Sequence, residues 1–259
     1  LLCPLSLLSQ VEKIIGYSQS QASRGAKYLN GKVYINVNHL QGNVNSGNFL
    51  VKGDLTLSKR DTFTITPLNV ETWLGGISEP IGDSLFCLAI TGVEPQSYIN
   101  EFWFVDTNLQ LLYKKRWAEK NVTYDDMAVV GDSLIYVTGY DGVKRQNLYV
   151  GKYTIGGDLI KDTTYVGLSH MVEELIEYKE GDILLFRLSK TIVLDPNTFA
   201  LDTIEGFSKS IVHKVMPHPN GHFYITGWIP PAGSPWEIGL YVNKIDSSGT
   251  LIDSLAITN

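Results

Sequence analysis

Five times along the chain a tight-turn dipeptide opens directly onto a short apolar and aromatic run. The copies are Asn30-Gly31-Lys-Val-Tyr-Ile, Asp83-Ser84-Leu-Phe-Cys-Leu, Asp132-Ser133-Leu-Ile-Tyr-Val, Glu180-Gly181-Asp-Ile-Leu-Leu and Asn220-Gly221-His-Phe-Tyr-Ile. The turns begin at positions 30, 83, 132, 180 and 220, so they recur after 53, 49, 48 and 40 residues. Gly, Asn and Asp enter positive φ at little cost, so each dipeptide suits a tight hairpin. A second hairpin follows in each period. Leu148 to Asp162 lies over Leu240 to Ser254 without a gap, and Phe102 to Leu112 fits the same frame. Thr191 to Leu201 needs one extra residue, and the Phe49 to Ile65 copy is the loosest. In the clear copies an apolar strand runs into a polar turn whose Asp can bond the backbone just ahead, and a shorter strand returns.

Two hairpins per period make four strands, and no stretch is long and periodic enough for a helix. A twisted four-stranded sheet cannot cover its own faces, so such sheets stack and bury their neighbours' apolar sides. The expected fold is therefore all-β, a β-propeller of four-stranded antiparallel blades with about five blades visible. Its repeats cover roughly 11–69, 70–122, 123–169, 170–210 and 211–259. A sandwich gives no reason for five matching periods, and a β-helix needs a much shorter one. Tyr34, Tyr136, Tyr224, Val150 and Val242 are expected in the core between blades. Gly157 and Gly249, at matched turn positions, are expected in conformations that other residues adopt with difficulty.

The turns also carry a resemblance. Gly131 to Gly139 with Val150 to Leu159, and Asn220 to Gly227 with Val242 to Leu251, resemble the secreted bacterial β-propeller repeats of the SBBP type. The repeat there reads Asn-Gly, apolar-Tyr-Val-Thr-Gly, then Val-x-Lys-apolar-Asp-x-x-Gly-x-Leu. The resemblance spans roughly Ala26 to Asn259 and implies the propeller fold and export, because its motifs are turn and core residues. Export, to the medium or the cell surface, agrees with Leu1 to Gln10, which reads as the remnant of a signal peptide: an apolar run ends in small and polar residues. Val11 to Tyr17 reads as an outer strand in excess of the five blades. The intact protein is therefore expected to continue past Asn259 with at least part of another blade.

Apolar residues make up 44% of the 259 and charged residues 19%, with no apolar run long enough to span a bilayer as a helix. A net charge of -6 with Lys and Arg scattered lacks the basic stripe of a nucleic-acid binder. Only Cys3 and Cys87 occur, too few for a disulfide framework. No nucleophile elbow, phosphate loop or dinucleotide fingerprint is present, so no catalytic residue and no cofactor are assigned. His213, His218 and His222 cluster without the fixed ligand set of zinc, and no metal site is assigned. Asp125-Asp126, Glu173-Glu174 and Glu71 fall shortly before inner strands, where a glycoside hydrolase would converge its carboxylates. Asp246-Ser-Ser-Gly249 lacks the aromatic residue that should follow a sialidase Asp-box and is read as a turn. Trp103, between Phe102 and Phe104, is read as core. Trp228 and Trp236 flank a loop stiffened by proline, Ile229 to Pro235, and are the binding residues proposed from sequence. The leading functional reading is an exported, non-enzymatic module that binds or scaffolds a protein or polysaccharide partner. The alternatives are a carbohydrate-active enzyme with acidic residues at the axis, and a structural segment of a larger surface protein.

Overall fold

A computed structural model describes residues 21–41, 44–54, 60–65, 72–94, 97–118, 122–141, 147–168, 172–178, 182–187, 191–204, 211–218, 220–229, 239–248 and 250–257. They form twenty strands and, among the described residues, no helix. Blade one is β1 (Gln21–Leu29), β2 (Lys32–Gln41), β3 (Val44–Gly53) and β4 (Arg60–Ile65). Blade two is β5 (Thr72–Ile81), β6 (Leu85–Glu94), β7 (Ser97–Asp106) and β8 (Leu111–Ala118). Blade three is β9 (Val122–Val130), β10 (Leu134–Asp141), β11 (Leu148–Thr154) and β12 (Leu159–Tyr165). Blade four is β13 (Val172–Glu177), β14 (Ile183–Arg187), β15 (Thr191–Leu194) and β16 (Leu201–Ile204). Blade five is β17 (Ile211–Pro217), β18 (Phe223–Ile229), β19 (Gly239–Ile245) and β20 (Leu251–Ile257). Each blade is an antiparallel meander in chain order, the blade of a five-bladed β-propeller. The chain divides into two compact units, blades one to three up to Gly167 and blades four and five from Leu168. Val11 to Tyr17, on which the expectation of a further blade rests, lies outside the described residues.

The first hairpin turn forms on its dipeptide, whereas in the third the left-handed pair lies one residue earlier, in the second Gly82 is left-handed ahead of Asp83-Ser84, and in the fifth only Gly221 of the dipeptide is. Asn30 and Gly31 have φ of 51° and 74°, and Gly131 and Asp132 of 55° and 50°, so two successive residues are left-handed as in type I′ turns. The second hairpin is closed by a side-chain oxygen that accepts the orphan N–H groups ahead of it. Asp106 Oδ1 accepts from Asn108 N and Gln110 N, both at 2.8 Å. Thr154 Oγ1 accepts from Asp158 N at 3.0 Å. Asp246 Oδ1 accepts from Ser248 N at 2.8 Å and Thr250 N at 2.9 Å. Backbone bonds run from Asp106 N to Gln110 O, Thr154 N to Asp158 O and Asp246 N to Thr250 O, whereas blade four closes from Asp195 N to Ala200 O. That is the extra residue expected there. Gly157 is left-handed, at φ 82°, as its turn position requires; Gly249 lies outside the described residues.

Within the first unit, blade two is buried on both sides. Phe86, Leu88, Ile90, Trp103, Val105 and Leu109 pack with Tyr34 and Leu50 of blade one. The alternate residues Cys87, Ala89, Phe102 and Phe104 pack with Val122, Ile135, Val137, Tyr149 and Tyr153 of blade three. This is why β6 and β7 read as continuous apolar runs, with Trp103 in the core at 3% exposure. Tyr149 and Tyr153 share one face of β11 with Gly151 between them, and their hydroxyls meet at 2.7 Å. A Cβ on Gly151 would lie 2.7 Å from both hydroxyls, so the close approach requires glycine.

In the second unit Ile176 and Leu184 pack with Val215, Phe223, Ile225, Tyr241 and Ile245. Of the five expected core positions, Tyr34, Tyr136 and Val150 are buried. Tyr224 and Val242 are only half-buried, which corrects the expectation for them. They alternate with Phe223, Ile225 and Tyr241 and so stand on the face of blade five opposite the one that packs on blade four. Tyrosine hydroxyls latch neighbouring blades onto the second turn. Tyr34 donates to the carbonyl of Thr107 at 3.1 Å, and Tyr178 donates to that of Ser247, each the residue after the turn Asp.

Candidate functional site: the bulged inner strands

The first strands of successive blades lie against each other, β1 on β5, β5 on β9 and β13 on β17. Lys27 of β1 and Glu79 of β5 form an ion pair at 2.8 Å. Each first strand carries a register shift near its start, so that the pairing with the second strand skips one residue. Those residues are Arg24 between Ser23 and Gly25, Gly75 between Leu74 and Gly76, and Asp125 between Tyr124 and Asp126. Glu173 between Val172 and Glu174, and His213 between Val212 and Lys214, complete the set. A bulge bends the strand and re-aims the residue it frees, which is why bulges gather beside binding and catalytic sites.

The bulges revise the placement of the candidate carboxylates. Asp125-Asp126 and Glu173-Glu174 lie inside β9 and β13 rather than ahead of them, and the bulged member of each pair is the first. Asp125 is half-buried, while Asp126 is 6% exposed and accepts through its backbone carbonyl from the buried Thr138 hydroxyl at 3.3 Å. Glu71 lies outside the described residues. The bulges were missed in sequence, although a signal exists: each bulged residue stands about seven positions before its hairpin turn, where a strict two-residue period breaks.

Trp228 is the penultimate residue of β18, where its backbone pairs with Ile211 and Leu240. Its neighbour Gly227 pairs with Val212, so Trp228 stands at the same end of blade five as the His213 bulge. The connection that follows, 230–238, carries Trp236 and lies outside the described residues. It is the longest of the five links between second and third strands, which otherwise cover 42–43, 95–96, 142–147 and 188–190.

The histidine turn is held by hydrogen bonds through His218 and Asn220, while the buried Nδ1 of His222 takes no part in them. His218 N donates to His222 O at 2.8 Å, and His218 Nδ1 lies 2.6 Å from Asn220 Oδ1. Among the described residues no group of three or more His, Cys, Asp or Glu is arranged to hold a metal. Asp246, read as a turn residue, also accepts from Ser248 Oγ at 2.6 Å. The Ser248 hydroxyl, followed by the Thr250 amide, holds its carboxyl below the usual range.

No protein-family model matches the chain, and no curated protein sequence matches it. Solved structures do. A chain of a mitotic checkpoint complex is 11% identical with a TM-score of 0.54, over 93% of this chain and 66% of that one. TolB from Acinetobacter baumannii is 14% identical with a TM-score of 0.52, over 93% and 55%. The catalytic domain of a GH62 α-L-arabinofuranosidase from Coprinopsis cinerea is 8% identical with a TM-score of 0.51, over 85% and 89%. The chain thus spans just under two thirds or less of the first two. At these identities the likeness is one of fold, the β-propeller, whose members here have unrelated activities.

Proposed function

We propose that the protein is an exported, non-enzymatic propeller that binds or scaffolds a polysaccharide or protein partner, with Trp228 and Trp236 as contact residues. The observation that carries this reading is that the longest link between second and third strands carries Trp236 and follows β18 just after Trp228, at the end of blade five where β17 bulges. Indole rings supply large contact area at little entropic cost, and a link stiffened by proline loses little freedom on binding. The resemblance to secreted bacterial repeats and the apolar start of the chain support export, at the cell surface or beyond it. No helix among the described residues is long and apolar enough to cross a membrane. The test is binding of the chain to panels of soluble glycans and surface proteins, followed by tryptophan fluorescence. Trp228→Ala and Trp236→Ala should each weaken capture by about tenfold, the effect of losing one good anchor. Unchanged capture by both variants refutes the site. The carbohydrate-active alternative draws on Asp125 and Glu173 at equivalent bulges. Release of reducing ends that Asp125→Asn or Glu173→Gln abolishes would favour it.

A further inference from the structure

The outermost strand of blade two differs from the other outer strands. β8 reads Leu111-Leu-Tyr-Lys-Lys-Arg-Trp-Ala118 and is an edge of its sheet, with no strand beyond it among the described residues. It carries three consecutive cations, Lys114, Lys115 and Arg116, and no carboxylate, on a chain of net charge -6. The other four outer strands each contain an aspartate: Asp61, Asp162, Asp202 and Asp253.

Cross-strand pairing sorts the cations by face. Lys114 is opposite Trp103 and Arg116 opposite Glu101. Lys114 Nζ sits 3.5 Å from the centre of the Trp103 ring, whose Nε1 donates to Glu101 at 2.8 Å. Lys115 turns to the other face and pairs with Asp158 of blade three. Leu112, Tyr113, Lys114 and Arg116 are exposed. The register shifts of β8 against β7 leave Tyr113 to Arg116 as an unbroken run, flanked by Leu112 and Trp117 without partners.

The geometry points to β8 as a docking edge for an acidic, extended polypeptide that adds to blade two as a further strand. An added strand satisfies the outward amides and carbonyls of Tyr113 to Arg116. It also sets two of its alternate residues beside Lys114 and Arg116, so the segment recognised carries acid-x-acid, with an apolar residue beside the exposed Leu112. Charge complementarity selects a polypeptide of that pattern, and the open backbone edge favours it over a sulfated polysaccharide, which offers no strand to pair.

The test uses the full chain and a fluorescent peptide alternating Glu with Val, read by polarisation. A second peptide of equal charge has its central Val replaced by Pro, which cannot complete a ladder. The first peptide should bind and the second should bind at least about tenfold more weakly, with Lys114→Ser/Arg116→Ser losing a similar factor. Trp228→Ala should leave this binding unchanged, which separates the edge from the loop site. Thermal melts confirm that the double variant is folded, as exposed substitutions allow. Equal binding of both peptides, no effect of the double variant, or binding of heparin in place of the first peptide overturns the proposal.

Discussion

Leu109, Gly157 and Phe199 occupy the same left-handed position of the second turn in blades two, three and four, with φ of 65°, 82° and 64°. A side chain there costs about 1–2 kcal/mol in backbone strain. Leu109 and Phe199 are nonetheless buried, at 7% and 5% exposure, and burying such a side chain is worth about 1.5–3 kcal/mol, so burial wins. Leu109→Ala loses burial and keeps the strain, whereas Leu109→Gly loses burial and relieves it. Denaturant melts should therefore rank Leu109→Gly above Leu109→Ala by about 1 kcal/mol, the reverse of the usual order in strands. Gly157 lacks such room: an added Cβ would lie 3.1 Å from Phe102 and 3.2 Å from Lys115. At the start of the last of these turns, Asp246 has its carboxyl held low by Ser248 and Thr250. A depressed folded pKa means that its contribution is present above the unfolded value and is lost as pH falls through the folded one. The difference in melting temperature between the native chain and Asp246→Asn should thus be greatest near neutrality and shrink below about pH 4. A difference constant from pH 7 to pH 3 would show that the carboxylate contributes nothing beyond its shape.

At the level of elements, the hairpins were legible because their causes are local. Turn dipeptides fix φ within two or three residues, and the spare residue between Asp195 and Ala200 is visible as a gap when one copy is laid over another. The bulges were harder to read, because a bulge is a relation between two strands, and the sequence marks Asp125 or Glu173 only by its distance from the turn that follows. Burial was legible only where both faces are covered. The Phe102-Trp103-Phe104 run announces itself as core, but Tyr224 and Val242 match Tyr136 and Val150 in type while differing in what lies beside them. Of the candidate site, sequence supplied the tryptophans and the acids, and the register of β17 against β18 placed Trp228 at the bulged end of blade five, on which the proposed function rests.

For the molecule as a whole, Cys87 offers a reporter. It is fully buried between blades two and three, and burial, aided by Glu79, pushes its thiol well above the ordinary range. In a Cys3→Ser background, labelling by a thiol reagent should follow the unfolding of the first compact unit and be negligible in native buffer. Labelling at the rate of a free thiol would show that blades two and three are not packed as described. The five inner-strand bulges have a consequence of another kind. Core positions across the blades repeat Ile, Val, Leu, Phe and Tyr, because packing tolerates little else. The bulged position is Arg, Gly, Asp, Glu and His in turn. A chain built by copying one module thus keeps, once per copy, a place where chemistry can be exchanged without disturbing the frame, as variable loops do on a fixed sandwich. Diversity at that place is a record of what each copy was free to become.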